Sequence, residues 1–503
     1  MAFMTADERA RAQIFSDLAV CNPFLPERVE LERRALGPDF AAIGPVWHAR
    51  NAADRNPNVG PLGERAQALA DTLRARLAQG ADPGRDAALY DDLVTYVLYT
   101  RAAPALLPAI EGEVPRPAPY QALASGVRHY LALPGLGPPP SPAHLFALFF
   151  QVRRAFHFIL EYILGGSLPA ARLRASAWQA IFTRDMRRYR RALHGRMHDV
   201  TTLIVGPSGT GKELVARAIG LSRHIPFDAG AERFAEDFRE GFLPLSISAL
   251  PSTLVESELF GHKKGAFTGA VADRKGWLEM CPPLGTVFLD EVAEIDAAIQ
   301  VKLLRVLQAR TFQRLGETRE RRFEGKIVAA TNRDLATEMQ AGRFRPDLYY
   351  RLCSDVIRTP PLAAQLRDDP GELGHLLRFI AGRMVGDEEG DAVAGEAEVW
   401  ITRQLGKDYP WPGNVRELEQ CVRNVMVRGE YHPPAPPPAS SPGDELARAI
   451  AAGSLTADEL VRRYCVSVYA QTGSYLETAR RLGLDRRTVK EKIDQASLDD
   501  PAS

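Results

Sequence analysis

Apolar positions in residues 1–178 recur at helical spacing among Ala, Leu and Arg, and predict a mostly helical N-terminal block. Breaks fall at Pro115–Pro119 and at "GLGPPPSP" (Gly135–Pro142). The most apolar stretch, Leu145–Leu164, contains Arg153, Arg154 and Glu161. Charges at mid-span cost too much for a membrane helix, so this stretch predicts a buried helix. From about 179 to 429, short β-branched runs alternate with amphipathic segments, as in an α/β domain. "PPAPPPASSPGDE" (Pro433–Glu445) reads as an extended linker within 431–445. Beyond it, 446–503 is helical in pattern and rich in Arg and Lys. No internal repeat is visible.

Composition narrows the picture. A chain of 503 residues is too long for one core, so two to four domains are expected. The formal net charge is zero, so contact with nucleic acid requires a local basic patch. Cys21, Cys281, Cys353, Cys421 and Cys465 form no CxxC pair. That argues against a zinc site and fits a reducing cytoplasm. Met1–Ala10 lacks the apolar segment of a secretory signal. A cytoplasmic protein without a membrane partner is expected. His144 and His157 read as core or surface residues rather than metal ligands.

Candidate chemistry lies in the α/β block. "TTLIVGPSGTGKE" is an apolar run, Leu203–Val205, followed by Gly206, Pro207, Ser208, Gly209, Thr210, Gly211, Lys212 and Glu213. A strand feeding a glycine-rich turn and a helix is the context of a phosphate-binding P-loop. Its backbone N–H groups, the helix dipole and Lys212 would face phosphate oxygens. The general pattern ends in Ser or Thr; here the position is Glu213. "GTVFLDEVAEID" is a buried strand delivering Asp290 and Glu291. Asp290 suits magnesium and Glu291 suits the attacking water, unless both merely cap the next helix. "KIVAATNRDL" ends in Thr331 and Asn332, a phosphate-sensing pair or a turn former. "GRFRPDLYYRL" supplies Arg345 and Arg351. A guanidinium from a neighbouring subunit can stabilise phosphoryl transfer by roughly 10³–10⁵ in rate. "WPGNVRELEQ" is a turn and a helix carrying Arg416, with Trp411 as a packing anchor. "GAFTGA" (Gly265–Ala270) is too rich in small residues for a core element. It reads as a flexible loop with an apolar tip, Phe267, hinged at Gly265 and Gly269. An exposed Phe is costly unless it meets a partner.

Taken in order across residues 180–428, these motifs resemble the bacterial sigma-54-dependent activators of the AAA+ ATPase family. In that family "GTGKE" is the usual P-loop ending. The resemblance implies an α/β AAA+ subdomain over 179–362, a helical lid over 363–430, and ATP and Mg2+ as cofactors. It implies a sensor role for Asn332 and a lid sensor role for Arg416. Arg345 and Arg351 would act across subunits of a homo-oligomer, from dimer to hexameric ring. Gly265, Ala266, Phe267, Thr268, Gly269 and Ala270 would contact the sigma-54 RNA polymerase holoenzyme. Two departures stand out. Ser246 in "PLSISAL" takes the place of an Asn that restrains the catalytic Glu, and "LAAQLRDDPGEL" follows Pro360–Pro361. In the family an N-terminal domain usually senses a signal; residues 1–178 resemble nothing that identifies one.

The C-terminal text, "SVYAQTGSYLETARRLGLDRRTVKEKID", predicts a helix-turn-helix. Ala479, Leu482, Leu484 and Val489 would form its core. Arg486, Arg487, Thr488, Lys490 and Lys492 would meet DNA, the basic ones facing outward. It is similar to the Fis-type domain that ends such activators, and implies upstream, enhancer-like DNA as partner. Three functions remain open: an ATP-driven activator of sigma-54 polymerase, a DNA-binding regulator using the ATPase fold only for nucleotide-gated assembly, or a P-loop enzyme that phosphorylates or unfolds something else.

Overall fold

The computed structural model describes residues 3–46, 56–112, 118–433, 446, 449–450 and 453–499. They fall into two compact units, Met1–Gly429 and Glu430–Ser503. The predicted linker lies almost wholly at 434–445, outside the described residues.

The helical periodicity at the N-terminus becomes seven helices: α1 (Ala6–Val20), α2 (Pro26–Leu36), α3 (Val59–Ala78), α4 (Ala87–Glu111), α5 (Ala118–Leu131), α6 (Pro142–Tyr162) and α7 (Leu168–Phe182). A capping box fixes the start of α1, with Thr5 and Glu8 exchanging hydrogen bonds. Glu8 also takes a two-point ion pair from Arg76 on α3, which pulls its pKa down to about 2. Helix α4 is long and apolar enough to cross a membrane by length and composition. Its Tyr90, Leu93, Val94 and Val97 are buried in the protein core. The predicted break at Gly135–Pro142 is the loop before α6, where Ser141 caps the helix and Pro142 opens it.

Buried β-branched runs form a five-stranded parallel sheet: β1 (Thr202–Val205), β2 (Phe242–Ser246), β3 (Thr286–Asp290), β4 (Lys326–Thr331) and β5 (Asp355–Arg358). The order is β5-β1-β4-β3-β2. Side chains alternate between its two faces. Leu203, Val287, Leu289, Ile327 and Ala329 join one core. It also takes in residues of α9 (Ser252–Phe260), α10 (Ala297–Ala309) and α11 (Pro346–Leu352). Ile204, Phe288, Val328, Ala330 and Ile357 join the other. There they meet α8 (Lys212–Gly220), α6 and α7.

This second face explains why the N-terminal helices do not stand apart. Helix α7 runs straight through residue 178, and Trp178 and Phe182 share a core with Ile204 and Phe288. Arg154 of α6 is fully buried and donates to the carbonyls of Leu221 (2.8 Å) and Arg223 (2.5 Å) after α8. Such a cation is tolerated because carbonyl oxygens and the rings of Phe150 and Phe238 surround it.

The lid is four helices: α12 (Leu362–Asp368), α13 (Glu372–Val385), α14 (Asp387–Gln404) and α15 (Asn414–Arg428). The unusual "RDDPGEL" text has a clear structural role. Asp368 accepts from Leu168 N–H and buried Glu372 from Gly166 N–H, both at 2.7 Å, tying the lid to the start of α7. Burial pushes the Glu372 pKa up.

In the second unit, α16 (Ala457–Thr472), α17 (Tyr475–Leu482) and α18 (Arg486–Asp499) surround Cys465, Ala479, Val489 and Ile493. Leu482 and Leu484 pack against them, as predicted. Gly473 and Gly483 end their helices at positive φ, as C-cap glycines do. One expectation is corrected. Lys492 does not face outward: it is largely buried and ion-paired with Asp458 at the start of α16. Its long stem lies over the small core and delivers the ammonium to that carboxylate.

Candidate nucleotide site and loop

The parallel order brings the C-terminal ends of β1, β4 and β3 side by side, where open α/β sheets carry ligands. Val205 is in register with Thr331, and Ser246 with Asp290. The loop after β1, Gly206–Gly211, leads directly into α8. Gly211 caps that helix at a φ of 82°, and Gly209 has a φ of 77°. A Cβ at Gly209 would overlap the Gly413 carbonyl, so the lid approaches the loop only because this position is glycine. The Lys212 ammonium is buried and donates to the carbonyls of Gly206 (3.1 Å) and Pro207 (3.2 Å). Thr210 donates to Pro207 O and contacts the Thr359 hydroxyl at 2.6 Å. Glu213 is exposed in the first turn of α8.

Asp290 ends β3 and accepts from the Glu291 N–H at 3.1 Å. Glu291 has a φ of 57°, uncommon for a residue with a side chain. Its carboxylate accepts from the Asn332 backbone N–H at 3.1 Å. Asp290, Glu291 and Asn332 are therefore brought together across β3 and β4. Ser246 ends β2 beside Asp290 and is exposed. Glu291 is held instead from the β4 side.

The lid closes on the P-loop through two residues. Arg416 donates to the Ser208 hydroxyl at 3.3 Å. Asn414, read from sequence only as part of a turn, bridges the two elements. It donates to Ser208 O and accepts from Leu362 N–H, both at 2.9 Å. Its φ of 53° is one that Asn tolerates. Thr359 was not legible as a site residue, since a Thr before two prolines carries no motif. Trp411 is buried, as a packing anchor. Arg345 is exposed and paired with Asp347 at 2.7 Å, and Arg351 is exposed on α11. Neither hydrogen-bonds to the P-loop or to the Asp290–Glu291 pair among the described residues.

The Gly265–Ala270 loop is closed on itself: Gly265 N–H meets Ala270 O at 2.8 Å, and Ala270 N–H meets Phe267 O at 3.0 Å. Gly265 and Gly269 have φ of 83° and 101°. Thr268 is exposed. Phe267 is not the exposed tip expected. It lies half-buried, edge-on to the His262 ring at 4.9 Å, because an aromatic neighbour shields it at little conformational cost. Ser257, 2.7 Å from His262 Nδ1, holds that imidazole in place. In the second unit, Arg486, Arg487 and Lys490 are exposed and Thr488 is half-buried.

The residues present fit a magnesium nucleotide. The glycine cradle, the start of α8, buried Lys212 and the paired carboxylates meet at one sheet edge.

Residues 182–358 match the family described as Sigma-54 interaction domain. The Nif-specific regulatory protein of Azotobacter vinelandii is 45% identical over 233 residues, 46% of this chain and 40% of that protein. The transcriptional regulatory protein ZraR of Klebsiella oxytoca is 39% identical over 303 residues, 59% of this chain and 64% of that protein. Both matches span less than two thirds of the relative's length. The structure of NtrX from Brucella abortus aligns over 75% of this chain and 79% of its own, with 22% identity and a TM-score of 0.41.

Proposed function

We propose that the chain is an ATP-hydrolysing activator of sigma-54-dependent transcription, a reading supported by the match of residues 182–358 to the Sigma-54 interaction domain. The observation that carries this reading is the convergence of Lys212, Asp290, Glu291 and Asn332 at adjoining strand ends of that domain. Lys212 and the Gly206–Gly211 backbone bind the phosphates of ATP. Asp290 holds Mg2+, which when bound supplies positive charge to the phosphate oxygens. Glu291 orients the attacking water and accepts its proton. Asn332 reports the state of the γ-phosphate to Glu291 through their 3.1 Å contact. Arg416 closes the lid over the nucleotide.

Arg345 and Arg351, both exposed, complete the site of a neighbouring subunit in a ring. Freed from His262, Phe267 and Thr268 engage sigma-54 and remodel the closed polymerase complex. The helix-turn-helix tethers the assembly to upstream DNA through Arg486, Arg487 and Lys490, raising its local concentration. A second reading, nucleotide-gated assembly without coupled hydrolysis, draws on Ser246 beside Asp290. Steady-state ATPase assays separate the two. Glu291→Ala should bind ATP but hydrolyse it at least about 10²-fold more slowly, the scale of a lost general base. A parental rate in that variant would overturn the assignment.

A further inference from the structure

Three imidazoles from distant parts of the chain meet at the seam between the N-terminal helices and the ATPase sheet. His144 lies in the first turn of α6, His194 follows the turn 189–193, and His224 follows α8. Ring centroids are 4.5 Å apart for His144–His194, 4.7 Å for His194–His224 and 6.1 Å for His144–His224. One ring nitrogen from each lies within 4.8 Å of the other two.

The hydrogen bonding of the trio is unusual for a packed core. His144 Nε2 is 2.9 Å from the Arg190 carbonyl oxygen. A carbonyl only accepts, so Nε2 carries the proton and Nδ1 keeps its lone pair. Among the described residues, His194 Nδ1 and His224 Nε2 are buried with no hydrogen-bond partner. Buried polar atoms are nearly always satisfied, so two such nitrogens beside a third lone pair need an explanation.

We propose that His144, His194 and His224 bind a divalent transition metal of the Zn2+ class. Three neutral nitrogen donors without carboxylate or thiolate suit Zn2+, Co2+, Ni2+ or Cu2+, and not Mg2+ or Ca2+. The Nε2–H bond from His144 to Arg190 O is the outer contact that orients a ligating histidine. Tetrahedral Zn–N bonds of about 2.0–2.1 Å place nitrogens ~3.4 Å apart, so nitrogens within 4.8 Å of one another need to close by at most ~1.4 Å. His194 and His224 also line a cavity of about 740 Å³, which leaves room for a water as fourth ligand and a route of entry. Arg154 and Arg223 lie close enough to His224 to oppose a cation. They make the site weaker and more reversible than a thiolate site. A bound ion would join α6 to the loop that ends α8, the helix carrying Lys212. Cysteine spacing, and His144 or His157 taken one at a time, point away from zinc. Neither reveals a trio separated by fifty and thirty residues.

The test uses the full chain, stripped of metal with a chelator and free of nucleotide, titrated with Co2+. The expected result is one equivalent bound with the visible absorption of four-coordinate Co2+, displaced by Zn2+. His144→Ala and His194→Ala, both half-buried positions that should fold, are expected to weaken binding by at least about tenfold, as loss of a ligand does. His224→Ala is the third arm if it folds. Uptake below a tenth of an equivalent by the parent overturns the proposal. So does uptake that the His144 and His194 variants leave unchanged, which would move the ion elsewhere, for example to Asp369, Glu372 and His375.

Discussion

Asn414→Ala tests whether the lid and the P-loop form one site. Asn414 is buried and makes two hydrogen bonds of 2.9 Å, one from Leu362 N–H and one to Ser208 O. Leaving the buried Leu362 N–H without an acceptor costs about 1–3 kcal/mol. The Ser208 bond is only partly buried and its carbonyl can turn to water, so its loss costs about 0.5–1.5 kcal/mol. The φ of 53° adds a further ~1–2 kcal/mol for alanine, which lacks the local hydrogen bonding of Asn. The sum is about 2.5–6.5 kcal/mol. For a cooperative unit the size of Met1–Gly429 this lowers Tm by about 3–7 °C. Because Ser208 belongs to the P-loop, KM for ATP should rise in the same variant. Asn414→Asp keeps the acceptor and loses the donor, and should fall between. Calorimetry and steady-state ATPase kinetics read both effects. A Tm within about 1 °C of the parent, with an unchanged KM, would refute the bridging role.

Further expectations concern other parts of the molecule. Glu8, held at a pKa of about 2 by Arg76, stabilises the fold fully above its ordinary value near 4.5. That stabilisation is lost as pH falls from about 4.5 towards 2, so Glu8→Gln should flatten the urea midpoint over that window. A constant gap between variant and parent across the window would contradict it. Glu372→Ala should speed hydrogen exchange of the Gly166 amide, and unchanged exchange would mean that the lid contact there is not held in solution. Arg486→Ala should weaken binding to duplex DNA and reduce the salt slope by about 1, whereas Lys492→Ala, already paired with Asp458, should do neither. Fluorescence anisotropy decides this, and a larger effect at Lys492 would reverse the assignment.

What the sequence revealed was local. Glycine spacing before Lys212, the buried run ending in Asp290, and the strand ending at Thr331 are short-range patterns, and each strand lies where the pattern predicts it. What it hid was set by tertiary packing. The partners of Arg154 and Glu372 could not be read: both are buried, Arg154 bonding the segment after α8 and Glu372 tying the lid to the start of α7. Lys492 looks like a DNA contact until α16 brings Asp458 beneath it. Phe267 looks like a free tip until His262, five residues earlier, folds beside it. In each case the deciding partner is set by tertiary packing, which periodicity and spacing do not encode.

The proposed coupling of nucleotide turnover to sigma-54 runs through the exposed Thr268 and its neighbour Phe267. The direct measurement is ATP-dependent open-complex formation by sigma-54 polymerase at a cognate promoter, comparing the parent with Thr268→Ala. The expected result is near-parental ATP hydrolysis in the variant with open complexes reduced at least about tenfold, or 1.4 kcal/mol of lost coupling. Equal promoter opening by both proteins, or a parent that opens no promoter while hydrolysing ATP, would contradict it.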